Sequence, residues 1–126
     1  MITWTVRRDC RGKAGNMREH HFAKARRYKS ERGATEGCAL VQLRPEGLLA
    51  LAALPRPVVV TLTRTGKRLL DDDNLPAACA AVRDQVAVML GVTDGPADTR
   101  VSWVCKQEKS PDYSVRVEIR SAEVAS

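Results

Sequence analysis

Three consecutive aspartates followed by an asparagine, Asp71 to Asn74, are the residues of this sequence best suited to bind a metal ion. Hard divalent cations such as Mg²⁺ take oxygen ligands, keep several waters and need few carboxylates. On an extended backbone, Asp71 and Asp73 would point the same way, about 6–7 Å apart. Asp and Asn are also the ordinary caps of a helix N-terminus, but three adjacent acids repel one another without a counter-ion. The sequence therefore allows two interpretations of Asp71 to Asn74, a divalent-metal site and a helix cap.

The net charge of +6 over 126 residues is unevenly divided along the chain. Residues 1–70 hold 15 Lys and Arg against 5 Asp and Glu, whereas residues 71–126 hold 6 against 10. A basic surface attracts a polyanion, and its contacts with DNA phosphates are non-specific and salt-dependent. The candidate phosphate contacts are Arg7, Arg8, Arg11 and Lys13 in a first loop, Lys24, Arg26, Arg27 and Lys29 in a predicted helix, and Lys67 and Arg68 in a basic turn. The alternative interpretation is an unevenly charged solvent surface.

Several other kinds of site are not expected. The four cysteines are Cys10, Cys38, Cys79 and Cys105, and they contain no CxxC pair, which argues against zinc. Cys79 and Cys105 lie in apolar patterns and are interpreted as small core residues. Gly66-Lys67 lacks the flanking residues of a phosphate-binding loop, so no nucleotide cofactor is expected. Without an apolar run of about eighteen residues or a signal peptide, we expect a cytoplasmic protein with no membrane association.

The acidic group must be positioned by secondary structure that the apolar periodicity predicts. Strands are predicted over residues 2–6, 58–64, 101–108 and 113–120. Helices are predicted from Met17, with Gly33 and Gly37 as possible interruptions and Pro45 as a break, over 48–54, and over 75–90 before Gly91. These elements predict an α/β (α+β) fold, a small mixed sheet of about four strands packed with two or three helices. We expect one domain over residues 1–120 and a flexible tail over 121–126.

The predicted helix over 75–90 has two apolar sides. One is a stripe of larger residues, and the other is made of small residues together with Asp84 and Val88. A helix with two apolar sides is usually buried on both. Another helix or a second subunit would cover the second side, and a homodimer is one expectation.

In this context the acidic motif resembles a known family. Asp71-Asp72-Asp73-Asn74-Leu75, an alanine-rich helix carrying Asp84, and Asp94 after a glycine turn resemble the RusA-like Holliday-junction resolvases. The strings LDDDNL, AAVRD and QEK are similar to the phage and prophage branch of that family, and the basic segment 16–32 also resembles it. The resemblance covers most of the chain.

The resemblance implies a small homodimeric α/β endonuclease that hydrolyses branched double-stranded DNA with Mg²⁺ or Mn²⁺ during recombination and repair. It implies Asp71, Asp73 and Asp94 as catalytic metal ligands, Asp98 as the competing third ligand, and Asn74 and Asp84 as supporting residues. The family often has a lysine three residues after the asparagine, where this chain has Ala77. A catalytically weak or inactive DNA-binding relative is therefore the second hypothesis. A basic protein–protein adaptor, in which the acids only cap a helix, is the third.

Overall fold

The computed structural model describes residues 1–7 and 21–122, with the backbone alone at His21 and Phe22. Its elements, in chain order, are β1 (Ile2–Val6), α1 (His21–Ala53), β2 (Val58–Gly66), α2 (Asn74–Ala78), α3 (Ala80–Leu90), β3 (Val101–Lys109) and β4 (Ser114–Ser121). The predicted mixed α/β class is confirmed, as are the four strands, with ends shifted by a residue or two. Of the predicted tail over 121–126, Ser121 is instead the buried last residue of β4, and the Ala122 N–H donates to the Pro57 oxygen at 2.9 Å. Residues 123–126 and the predicted helix start at Met17 lie outside the described ranges.

The four strands form one mixed sheet in the order β1-β4-β2-β3. β2 runs parallel to β3, while β4 is antiparallel to both β1 and β2. Alternate residues of β4, Val115, Val117 and Ile119, are fully buried, and the residues between them are more exposed. This period of two is that of a sheet with one face on the core. The parallel connection from β2 to β3 carries the acidic segment, α2 and α3.

Helix α1 is two helical segments joined by a kink. Arg44 has φ 60° and ψ 176°, and Pro45 follows it. Proline lacks the N–H of the helical ladder and its ring clashes with the preceding turn, so the predicted break at Pro45 is confirmed. Gly33 and Gly37 do not interrupt the helix. On the N-terminal side of the kink, the Gln42 side-chain amide donates to the backbone oxygen of Thr5 (2.7 Å) and accepts from its N–H (2.8 Å), which ties α1 to β1.

The predicted helix over 75–90 is divided at Cys79. This residue has φ −101° and ψ 1°, and its N–H lies between the carbonyls of Leu75 (3.3 Å) and Pro76 (3.2 Å). Gly91 ends α3 in the left-handed conformation, as predicted, with φ 69°. Since ψ near 0° is outside the helical range, α2 and α3 are separate helices of five and eleven residues.

The second apolar side of α3 is covered within the chain in part: Ala81 is 2% exposed, whereas Val88 is 61% exposed. Val82 and Val86 are fully buried in the core, while Asp84 accepts a hydrogen bond from Tyr28 of α1 and Gln85 accepts one from Arg32 of α1. Of the two covers that the sequence left open, α1 is the one observed. Within the described ranges, no helix is long and apolar enough to cross a membrane.

Candidate acidic site

The acidic segment is held in place by its neighbour in the sheet. The Gln107 side chain of β3 accepts a hydrogen bond from the Leu70 N–H and donates one to the Leu70 oxygen, both at 2.8 Å. These two hydrogen bonds resemble those between paired residues of neighbouring strands, with the Gln107 side-chain amide in place of a second backbone. It fixes the backbone immediately before Asp71, so the aspartates leave the sheet edge from a defined point.

The three aspartates form a turn that leads into α2. The Asp71 carbonyl accepts from the N–H groups of Asn74 (2.9 Å) and Leu75 (3.0 Å), and Asp73 is the N-cap with φ −71° and ψ −29°. The expectation of an extended backbone, with Asp71 and Asp73 on one side, is wrong because the hydrogen bonds to the Asp71 carbonyl wind this segment into a helical turn. Asn74 itself is partly buried as the first residue of α2.

All three carboxylates are exposed and without partners in the described part of the chain. Asp73 makes no side-chain hydrogen bond to the helix it precedes, so it does not cap α2 in the usual way. Neither Asp71 nor Asp72 forms an ion pair or hydrogen bond through its side chain within residues 1–7 and 21–122. Within the described ranges, only water and counter-ions screen the repulsion between these carboxylates.

A second acidic group lies one turn into α3. Asp84 of α3 accepts a hydrogen bond from the Tyr28 hydroxyl, and Asp94 is one of its charged neighbours. Burial is the first cause that raises the pKa of Asp84, and Asp94 raises it further, against the bond from the Tyr28 hydroxyl. Arg83 donates to the Asp94 carbonyl at 2.7 Å and lies 4.0 Å from its carboxylate. Asp94 is thus adjacent to Asp84 and Arg83, with its side chain 49% exposed.

Asp98, the competing third ligand, has its carboxylate already occupied. It accepts from two nitrogens of the Arg100 guanidinium (2.7 and 2.9 Å) and from the Thr93 N–H (2.8 Å). The bond from Arg100 is the main reason that the pKa of Asp98 is well below its usual range. Its side chain is 7% exposed. This bidentate pairing folds the loop between α3 and β3 and leaves little room for a cation.

The predicted ligands are therefore in two places. Asp71 and Asp73 lie at the start of α2, and Asp94 lies beside the first turn of α3. Helix α2, the break at Cys79 and the first turn of α3 separate the two groups along the chain. Among the described residues, no three His, Cys, Asp or Glu side chains are close enough to hold one metal ion.

Most of the predicted phosphate contacts that the structure describes are exposed. Arg7, Lys24, Arg26 and Lys29 are exposed, as are Lys67 and Arg68 in the turn before the aspartates. Arg27 is less exposed and pairs with Glu31 at 3.5 Å. Arg8, Arg11 and Lys13 lie outside the described residues. The exposed cations of α1 belong to the segment whose Tyr28 touches Asp84, so basic and acidic residues are neighbours here.

Two supporting residues were missed from the sequence. Arg64 is 1% exposed, donates to the Arg68 carbonyl at 2.8 Å and lies over the Tyr113 ring at 5.9 Å. A charged residue within the β-branched run of β2 was a signal that could have identified it. Gln107 had no such signal, because its role depends on where β3 lies in the sheet. Ala77 is exposed on α2.

Comparison with known proteins identifies no relative. No family model matches the chain, and neither a curated protein nor a solved structure is significantly similar to it.

Proposed function

We propose that this protein is a metal-dependent endonuclease that hydrolyses phosphodiester bonds in branched DNA, a RusA-type function in the cytoplasm. The observation that carries the proposal is the set of three exposed aspartates that lack partners in the described chain and are fixed to the sheet through Gln107. Carboxylates so placed, three residues after the exposed Arg68, suit a cation that also contacts a phosphate.

The donor chemistry fits Mg²⁺ or Mn²⁺ in part. Asp71 and Asp73 would hold the ion, which takes few carboxylates and several waters. When bound, it polarises a phosphoryl oxygen and lowers the pKa of the attacking water. Asp94 is the proposed third ligand and must leave Arg83 and Asp84 to reach it, a rearrangement favoured by DNA binding because a phosphate competes for Arg83. Asp98 is not carried into the proposal, since Arg100 occupies its carboxylate.

The exposed cations of α1 and of the basic turn would hold the DNA backbones. Lys24, Arg26 and Lys29 follow one another within two turns of α1. Phosphate contacts position a duplex without reading its sequence. We therefore propose that recognition depends on the shape of the junction. The cations of α1 and of the basic turn and the aspartates before α2 would then act on the same phosphate backbone.

A matched pair of substitutions tests the nuclease. We expect Asp73→Asn to reduce Mg²⁺-dependent cleavage of a four-way junction by roughly 100-fold or more, because it removes a metal ligand. Binding of the junction, measured without metal, should stay within about twofold, since phosphate contacts dominate affinity. Asp72→Asn makes the same change of charge one residue away and should retain cleavage. Equal cleavage by both variants would reject the proposed site.

A second candidate is a DNA-binding protein without turnover. Two features favour it: position 77 is an alanine where the resolvases that the acidic motif resembles often have a lysine, and the described residues contain no group of three metal-ligating side chains. Junction binding with no cleavage at any Mg²⁺ or Mn²⁺ concentration would select this candidate. Negligible junction affinity at moderate salt would reject both and favour a protein–protein adaptor.

Homodimerisation is part of the proposal and would use the apolar residues that stay exposed on the two helices. These are Val88 (61%) on the second side of α3, and Leu40, Val41 and Leu49 on α1. Leu40 and Val88 line a groove of about 340 Å³ between the two helices. Light scattering at micromolar concentration tests this: a dimeric mass supports it, and a monomeric mass rejects it.

A further inference from the structure

The two edges of the sheet differ in how they are covered. At the β1 edge, the Gln42 side chain of α1 bonds to both the N–H and the oxygen of Thr5. Strand β3 forms the other edge and pairs with β2 over its whole length, Val101–Lys109. The chain approaches β3 at Leu70, which bonds to the side chain of Gln107 and not to its backbone. Within the described ranges, the outer backbone of β3 therefore has no comparable cover.

Two backbone hydrogen bonds show which residues of β3 turn their backbone outward. The Val58 N–H donates to the Arg100 oxygen at 2.9 Å, and the Ser110 N–H donates to the Gly66 oxygen at 2.8 Å. In a parallel pair, alternate residues direct both backbone groups to the neighbouring strand, so the even-numbered residues of β3 face β2. The residues whose N–H and C=O groups point away from the sheet are then Val101, Trp103, Cys105, Gln107 and Lys109.

The outward backbone groups in the middle of β3 are unpaired in the part of the chain that the structure describes. No backbone or side-chain hydrogen bond from those residues reaches the N–H or C=O of Trp103 or Cys105. The register with β2 is continuous, and the stretch from Val101 to Cys105 contains no proline and no charge. Proteins usually protect an open edge with such features, because unpaired backbone groups are a template for another strand. This stretch is therefore suited to pair with an extended segment.

The charges toward the C-terminal end of β3 indicate which segment fits. Lys106 and Lys109 are exposed, and neither forms an ion pair or hydrogen bond through its side chain with the described residues. The acid between them, Glu108, already pairs with Arg116 of β4 at 3.1 Å. Opposite charges on neighbouring strands attract and like charges repel. A segment with its own carboxylates therefore fits this edge better than a second copy of β3, whose one acid is engaged.

We propose that the edge of β3 binds an extended acidic segment of a partner protein, which adds to the sheet as an antiparallel strand. Backbone hydrogen bonds to Trp103 and Cys105 supply the affinity, as in other cases of strand addition. From the N-terminal end of the segment, one acid faces Lys109 and a second acid, three residues on, faces Lys106. Uncharged β-branched residues follow, opposite Val104. This surface is independent of the proposed nuclease, because none of these residues is assigned to metal or DNA.

Amide hydrogen exchange of the full chain tests strand addition with a synthetic peptide. The peptide is as long as β3, 9 residues, with glutamate at its first and fourth positions and valine or threonine elsewhere. The outward amides of Trp103 and Cys105 should exchange roughly tenfold more slowly when the peptide is bound. The amides of Ser102 and Val104, which face β2, should change by less than about twofold. No slowing at the outward amides, or equal slowing at all four, would overturn the proposal.

Two matched controls separate strand addition from attraction between charges. The same peptide, N-methylated at the residues whose N–H groups would face β3, keeps its charges and should bind at least about tenfold more weakly. Lys106→Gln with Lys109→Gln should weaken binding of the unmethylated peptide by about fivefold. Arg120→Gln removes a charge from β4 and should leave binding within about twofold. Equal affinity for the two peptides, or equal losses in the two variants, would contradict the proposed pairing.

Other occupants of the edge give different results in the exchange experiment. Slow exchange at Trp103 and Cys105 in the protein alone would show that a second copy or another segment of this chain already pairs there. Slowing by a four-way DNA junction, and not by the peptide, would assign the edge to nucleic acid. Either result overturns binding of a partner's acidic segment. Junction cleavage is not measured here, so failure of the nuclease proposal leaves this test unchanged.

Discussion

At the scale of single residues, the aspartates within residues 71–126 differ in the side-chain contacts that they already make. Arg100 pairs with Asp98, Tyr28 donates a hydrogen bond to Asp84, and Arg83 lies beside Asp94. The aspartates at 71–73 are without side-chain partners within the described ranges. A carboxylate that is already paired loses that pairing when it binds a cation. A divalent ion that binds at Asp71 to Asp73 therefore breaks fewer existing side-chain contacts than one that binds at the other aspartates.

A gain-of-function substitution at position 77 tests the proposed nuclease site. We expect Ala77→Lys to raise the rate of metal-dependent junction cleavage by roughly tenfold, because a positive charge next to the aspartates stabilises charge on the reacting phosphate. Ala77 is exposed on α2, so the longer side chain meets no packing obstacle. Ala77→Gln, similar in length and uncharged, is the control and should leave the rate unchanged. Equal rates for the two variants would remove position 77 from the site.

At the scale of elements, the kink in α1 is a strained position. Arg44 has φ 60° and ψ 176°, a region that is nearly restricted to glycine and costs about 1–3 kcal/mol for other residues. We expect Arg44→Gly to stabilise the protein by about 1 kcal/mol, after the entropy of glycine is subtracted. The melting temperature should rise by about 4 °C.

Arg44→Ala separates backbone strain from charge. It removes the guanidinium and keeps the Cβ that causes the strain, so its stability should stay within about 0.5 kcal/mol of the parent. A larger gain for the alanine variant than for the glycine variant would show that the charge, and not the backbone, limits stability here.

The loop between α3 and β3 gives an expected pH dependence. Because the folded-state pKa of Asp98 lies below its ordinary value of 3.8, its ion pair stabilises the fold above that pH and the stabilisation is lost as the pH falls below it. Asp98→Asn should therefore be less stable than the parent at pH 7, and the difference should shrink below pH 4. Urea unfolding at several pH values measures this. Arg100→Gln should reproduce part of the loss, and a pH-independent difference would contradict the ion-pair explanation.

At the scale of the whole molecule, exposed cations of α1 and the acids of the second half lie on neighbouring elements, joined by the Tyr28–Asp84 contact. We expect junction binding to weaken with salt and the slope of log K against log salt to fall by about 0.9 for each phosphate contact removed. Arg26→Gln with Lys29→Gln should reduce the slope by about 1.8. Arg120→Gln, exposed on the sheet face away from the core, should leave it unchanged, and an equal reduction there would contradict a footprint on α1.

The sequence by itself determined the elements and the division of charge. The alternation in β1 and β4, the break at Pro45 and the end of α3 at Gly91 were all predicted, because periodicity, proline and glycine act through the nearest turn of backbone. The same local reasoning went wrong at Asp71 to Asp73, where hydrogen bonds to the Asp71 carbonyl wind the chain, and at Cys79, which divides a helix predicted as continuous.

Only the tertiary structure decided which side chains meet. Asp94 lies beside Arg83 and Asp84 because the loop after α3 returns along the helix that precedes it. No local pattern encodes such contacts. Packing brings several charged or polar groups within reach of each side chain. Which of them pair is decided when the parallel strands β2 and β3 form and place the elements between them.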